Sequence, residues 1–177
     1  FGEVLTPTAV QGYYQPLTLT SLMLDVALSS NPNDLATFHR TSLALHVANT
    51  LLIIFILYQL FAQPVPAVLV GLLFGVHPLT VECIPWSGER KTLLATFFAL
   101  WSLVFYLRHV QTRDGRWLLG VGAAYVLAML SKPTTVPLPL LILVLDYWPL
   151  RRLTRDSVIQ KMPFFALAAI FATITLI

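Results

Sequence analysis

Charge is what this sequence has least of. Of its 177 residues, 11% are Asp, Glu, Lys or Arg, where a soluble domain carries about a quarter. So little polar surface cannot cover a water-facing globule, which excludes an ordinary soluble domain. A single cysteine, Cys83, excludes an internal disulfide framework and any CxxC redox or metal motif. No P-loop, GxGxxG, HExxH or GxSxG sequence is present, so phosphate-loop, dinucleotide, zinc-protease and serine-hydrolase signatures are all missing. No metal or cofactor is expected. The net charge is only +3. The basic residues stand beside apolar runs, which reads as a topology signal rather than a nucleic-acid footprint. No charged n-region precedes a short apolar run, so no signal peptide is visible. The chain opens on Phe1 and stops within the apolar run Phe164 to Ile177; a piece of a longer polytopic protein, truncated at both ends, is the expectation.

What is present is apolar sequence. Hydrophobic residues make up 57%, and the mean hydropathy is +0.77. No charge falls between Arg40 and Glu82, which leaves room for two spans of about 20 residues each. Pro64 and Pro66 are expected to break helix between them, making Gln59 to Pro66 a hairpin. The spans then run from about Thr41 to Leu60 and Ala67 to Val76. Three more are expected from Thr92 to Leu107, Trp117 to Leu130 and Pro137 to Tyr147, and a sixth from near Pro163. The fold class is therefore all-α, a polytopic transmembrane bundle of about six spans over residues 41–177. Residues 1–40 read as an extracytoplasmic segment, its Leu17 to Leu28 run a short helix on the membrane surface or packed on the bundle. Asn33 or Asp34 is a candidate cap for the helix that follows.

Alternate loops fall on one side. Arg108, Arg113, Arg116, Arg151, Arg152, Arg155 and Lys161 collect on the side of the Gln59–Pro66, Arg108–Arg116 and Arg151–Lys161 loops. The positive-inside rule makes that side cytoplasmic. The N-terminal segment, the His77–Lys91 loop and the Ser131–Pro133 turn then face outward. An integral protein of a bacterial inner membrane follows, or of the ER membrane in a eukaryote.

The outward loop is the richest in chemistry. It places His77, Glu82, Trp86, Glu89, Arg90 and Lys91 at the ends of two spans, with Pro and Ile interleaved as in a folded loop. Lys132 stands between apolar runs of about 14 residues, about 21 Å of helix, too short for a core of about 30 Å. A lysine set in a cavity below the surface is the reading that follows, since broken backbone at that depth is tolerated where it lines a cavity. His39 and Arg40 stand at the same mouth. His46 and Asn49, at helical spacing, suit helix–helix hydrogen bonds; Asp146 suits an ion pair with Arg151 or Arg152; Cys83 suits packing. Cations at a membrane edge suit an anion such as a lipid phosphate, a carboxylate or His suits proton handling, and a Trp suits a sugar face. A lipid-phosphate-sugar enzyme and an anion transporter or lipid-carrier flippase both fit these residues.

The ordered series Tyr14-Gln-Pro16-Leu-Thr, His39, His46-Val-Ala-Asn49-Thr, His77-Pro-Leu-Thr-Val-Glu82-Cys-Ile-Pro-Trp86-Ser-Gly-Glu89-Arg90-Lys91, Ser131-Lys132-Pro133 and Leu145-Asp146-Tyr147-Trp148-Pro149-Leu150 resembles bacterial membrane proteins related to the transmembrane and TPR-repeat O-mannosyltransferases. These are similar to GT-C-type glycosyltransferases of the protein O-mannosyltransferase group. The resemblance implies a hexosyltransferase of inverting mechanism, working on the extracytoplasmic face. Its donor would be a polyprenyl-phosphate sugar, typically mannose, and its acceptor a hydroxyl of a protein or glycan. It also implies TPR repeats downstream and a catalytic acidic residue upstream of Phe1, a position that Glu3 does not match. Arg90 and Lys132 are then the expected phosphate ligands, with His77 and Glu82 positioning the donor, Trp86 walling the sugar pocket, and His39, Arg40 and Glu89 as further contacts. A transporter would show inverted repeats and midplane charge; neither is visible, which tilts the choice toward the enzyme.

Overall fold

A computed structural model describes residues 15–29 and 35–176, with side chains described as far as Thr173. Glu3, Tyr13, Tyr14, Asn33 and Asp34 lie outside the described residues. The described chain is helix and turn, with no strand. Its helices are α1 (Pro16–Leu28), α2 (Leu35–Phe61), α3 (Pro64–Val76), the single turn α4 (Pro78–Val81), α5 (Arg90–Thr112), α6 (Arg116–Ser131), α7 (Leu138–Tyr147) and α8 (Arg155–Leu176). Short 3₁₀ turns at Ser87–Glu89 and Pro133–Thr135 introduce α5 and link α6 to α7.

The centre is the α5–α6 pair. Small residues on α6 let the two backbones close: Ala124 and Ala128 are buried, and a Cβ at Gly120 would stand 3.1 Å from the Phe105 ring. Tyr106, Leu107, Val121, Tyr125, Met129 and Ile142 fill the core around this seam. On the flank, α2 and α3 form a second close pair. A Cβ at Gly71 would meet Ile54 Cγ1 at 2.1 Å, and one at Gly75 would meet Thr50 at 3.1 Å. His46 Nε2 bonds the Gly75 carbonyl at 2.9 Å, and Asn49 Nδ2 donates to the Leu93 carbonyl at 3.1 Å. These two polar residues of α2 thus tie it to α3 and α5, as small and amide residues do between membrane helices. Helix α1 packs on the bundle, with Thr18 Oγ1 donating to the Ser131 carbonyl at 3.0 Å.

Burial is inverted relative to a soluble protein. Asp25, Arg90, Asp146 and Lys161 are buried, while Leu43, Leu51, Leu69, Leu72, Leu73 and Val76 are exposed. Ionisable groups turned into the bundle with aliphatic groups turned out is the arrangement lipid imposes.

Three expectations need correction. The prolines after α2 do not extend the hairpin. Ala62, at φ 54°, and Gln63 make the whole turn, and Pro64 and Pro66 sit in the first turn of α3, where the missing N–H has no intrahelical partner to lose. The expectation of about six spans is met only in part: among the described residues two helices are long and apolar enough to cross a membrane, Leu35–Phe61 and the continuous Ser87–Thr112 stretch, while α3, α6 and residues 133–147 are shorter apolar helices. Proline at Pro64, Pro78 and Pro133 is what cuts them short. Third, the Arg151–Lys161 loop ends early: α8 starts at Arg155, and Lys161 is a buried helical residue.

Candidate functional site

One end of the bundle gathers the start of α1, the N-terminal half of α2, the α3–α5 connection and the α6–α7 turn. Lys132 follows the last residue of α6, where Pro133 forbids further helix, and its extended backbone (φ −154°, ψ 120°) carries the side chain back over α5. Its ammonium donates to Thr92 Oγ1 at 2.7 Å and stands 3.7 Å from Glu89 Oε2. The same Glu89 oxygen accepts from Thr92 Oγ1 at 2.5 Å, and Lys91 Nζ is 4.0 Å from Glu89 Oε1. Gln15, Glu89, Lys91, Lys132, Pro133 and Thr134 line a cavity of about 240 Å³. Gln15 Oε1 is buried there without a hydrogen-bond partner among the described residues, a state that costs about 1–3 kcal/mol unless a further donor reaches it.

A second cavity of about 340 Å³ is lined by Leu79, Glu82, Cys83, Trp86 and Glu89. Glu89 is thus the wall common to both. Burial, with Glu89 adding like charge, pushes the Cys83 thiol above its ordinary range, so it is a poor nucleophile. His77 caps the one-turn helix α4, its Nδ1 accepting from the Leu79 N–H at 3.3 Å. His39 Nε2 meets the Pro85 carbonyl at 3.2 Å and so pins the loop to α2. Arg40 is exposed on the same helix.

Arg90 departs from expectation. It is fully buried, and each nitrogen of its guanidinium is hydrogen-bonded within the fold. Nε donates to Ser42 Oγ at 3.2 Å and Nη1 to Ser21 Oγ at 3.2 Å; Nη2 donates to Asp25 Oδ2 and to the Phe38 carbonyl, both at 2.7 Å. Asp25 is completed by Thr41 Oγ1 at 2.9 Å. Arg90 therefore clamps α1 and α2 to the first turn of α5, with four of its five N–H donors engaged within the fold. The sequence does place an acid at Asp25, but the pair is 65 residues apart and invisible to local spacing. Glu89, Lys91, Lys132, Glu82 and Trp86 do come together around the two cavities; Gln15 is a polar lining residue that the sequence reading did not single out.

At the other end, Asp146 accepts from Tyr106 Oη and Ser157 Oγ and pairs with Lys161 Nζ at 2.5 Å and Arg152 Nε at 3.8 Å. Asp146 and Lys161 are both buried, and Lys161 Nζ also bonds the Ser157 carbonyl at 2.9 Å. The Arg152 partner was expected; the buried Lys161 was not. Among the described residues no three His, Cys, Asp or Glu side chains converge as a metal site.

Comparison with known proteins places the chain. Residues 27–177 match the family model described as dolichyl-phosphate-mannose-protein mannosyltransferase. The chain belongs to this family. Among curated relatives, protein O-mannosyl-transferase TMTC2 of Mus musculus is 27% identical over the whole of this chain and 22% of its own length. Tmtc2 of Drosophila melanogaster is 29% identical over 77% of this chain and 15% of its own, and human TMTC4 is 24% identical over 92% and 24%. The chain thus spans about a fifth of the length of the TMTC2 relative. No solved structure matches it.

Proposed function

We propose that this chain is part of an integral membrane glycosyltransferase that moves mannose from a polyprenyl-phosphate carrier to a hydroxyl of an acceptor protein or glycan on the outward face. The reading rests on family membership and, above all, on Lys132: a half-buried cation held over a cavity by Thr92 and Glu89. GT-C architecture and inversion at the anomeric carbon belong to the proposal. The acceptor oxygen attacks that carbon, the bond from carbon to the phosphate oxygen breaks, and its electron pair stays on the phosphate. Lys132 and Lys91 face that growing charge, where a preorganised cation acts more strongly than in the ground state. Glu89 balances the two ammonium groups until phosphate takes its place. Glu82 and Trp86, in the adjoining cavity, position the donor and wall the sugar. The orphaned Gln15 carbonyl accepts from a donor hydroxyl. Arg90, His39 and His77 hold the loop that carries these groups. The base that takes the acceptor proton is assigned to no residue of this chain.

The test needs the full-length protein and dolichyl-phosphate mannose. Lys132→Ala should lower transfer about a hundredfold, the effect typical of removing one preorganised electrostatic partner. Lys132→Arg should rescue poorly, because a planar guanidinium does not fit where an ammonium bridges Thr92 and Glu89. Trp101→Ala, on the far side of α5's first turns, controls for general destabilisation. Wild-type turnover and donor affinity in Lys132→Ala would remove Lys132 from the donor site.

A further inference from the structure

The largest cavity described lies at the other end of the bundle. It measures about 510 Å³ and is lined by His109, Val110, Arg113, Leu150, Arg152, Thr154 and Gln160. It is about 27 Å along α5 from Lys91, taking 1.5 Å per residue, and shares no lining residue with the cavities around Glu89. The proposed transfer reaction does not use it.

Its lining carries two arginines and a histidine, and no carboxylate. Arg113 is the left-handed cap of α5, at φ 55°; its backbone N–H bonds the His109 carbonyl, and its exposed guanidinium has no protein partner among the described residues. Arg152 is held only at one corner, Nε standing 3.8 Å from Asp146 Oδ1, with the rest of its fork unengaged. His109 is buried, and its Nδ1 donates to the Asp114 carbonyl at 3.0 Å, which leaves Nε2 without a protein partner. Thr154 caps α8 by accepting from the Ser157 N–H at 3.2 Å, so the positive end of that helix dipole stands at the cavity edge. Of the nearby acids, Asp114 pairs with Arg116 at 3.0 Å and Asp146 with Lys161 as well as Arg152; Asp156, two residues beyond Thr154, is exposed on the first turn of α8 and is not among the lining residues. Arg108, Arg151 and Arg155 are exposed on the flanking segments and add to the field.

We propose that this cavity binds a phosphate group, carried by the head group of an anionic membrane lipid or free in solution. One free guanidinium fork, a second held only at one corner, and a helix N-terminus converging on a space of this size match a tetrahedral dianion or monoanion. Basic pockets between membrane helices take lipid head groups in this way. The site lies at the end opposite the Lys132 cavity, so it serves anchoring or regulation rather than the donor.

The experiment uses the full-length protein purified in detergent. One arm adds spin-labelled phosphatidylserine or phosphatidylcholine and measures the retained, immobilised fraction. A second arm measures inorganic phosphate binding by equilibrium dialysis. Preferential retention of phosphatidylserine, weakened about tenfold in Arg113→Gln and in Arg152→Gln but not in Arg116→Gln, supports the site with a lipid source. Binding of inorganic phosphate with the same variant pattern, and no lipid preference, supports it with a soluble source. The Arg113 side chain makes no hydrogen bond or ion pair among the described residues and is exposed, so its variant should fold even if Arg152→Gln does not. Retention and phosphate binding unchanged in Arg113→Gln, or absent from the wild type, overturns the proposal whatever becomes of the transferase reading.

Discussion

Each end of this bundle holds a lysine beside a carboxylate, and the two pairs are built differently. Lys161 and Asp146 are 2.5 Å apart, and their side chains are 1% and 0% exposed. Hydroxyls of Tyr106 and Ser157 complete the acid. Lys132 and Glu89 are 3.7 Å apart, with side chains 28% and 36% exposed over a cavity. The first pair is closed: the Lys161 ammonium is fully hydrogen-bonded and both Asp146 oxygens accept from protein donors, as burial demands. The second is open, held loosely enough for a phosphate to displace one partner without leaving a charge stranded. Arg90 belongs with the closed class although it neighbours the open pair in sequence. On the proposed reading, saturation rather than charge or position separates a group that holds the fold from one available to a ligand.

Breaking the closed pair should give the largest effect. Asp146→Ala strands the Lys161 ammonium among α7 and α8 and should lower stability by about 3–5 kcal/mol, read as a fall in the thermal midpoint in detergent. The double variant Asp146→Leu with Lys161→Met removes both charges and should recover most of that loss. If the double variant is as unstable as the single, the network does more than neutralise a charge, and the contrast between the ends weakens. A smaller effect is expected at the α2–α3 seam, which lies between the two ends and involves neither pair. Gly71→Ala drives a methyl into Ile54, a β-branched side chain with little rotamer freedom, and should cost about 1–2 kcal/mol with no change in the salt dependence of donor binding. A shift in that salt dependence would mean that the flank and the open pair are coupled.

The helical class was legible because the apolar runs are continuous: in lipid such a run satisfies its backbone as a helix, whereas barrel strands alternate apolar with polar residues. The break at Lys132 was legible because proline follows it directly, and the gathering of Glu82, Trp86, Glu89 and Lys132 because alternate loops share a side. Proline misled at Pro64 and Pro66, where the same ring that ends a helix also starts one. Charge misled at Lys161: counted as a loop cation, it is a helical residue whose partner, Asp146, lies across a turn. The partners of Arg90 were hidden for a related reason. Its acid, Asp25, sits in a segment whose mixed polarity says nothing about packing, and only the tertiary approach of α1 to α5 makes the pair.

The contrast between Arg90 and Lys132 is therefore the sharpest test. The full-length protein carrying Arg90→Ala or Lys132→Ala is measured for both thermal midpoint and mannose transfer from dolichyl-phosphate mannose. Arg90→Ala should lower the midpoint strongly, since it leaves Asp25 buried and unpaired. Lys132→Ala should leave the midpoint near wild type while transfer falls about a hundredfold. An Arg90→Ala protein of unchanged midpoint, or a Lys132→Ala protein that melts early and transfers normally per folded molecule, would contradict the account.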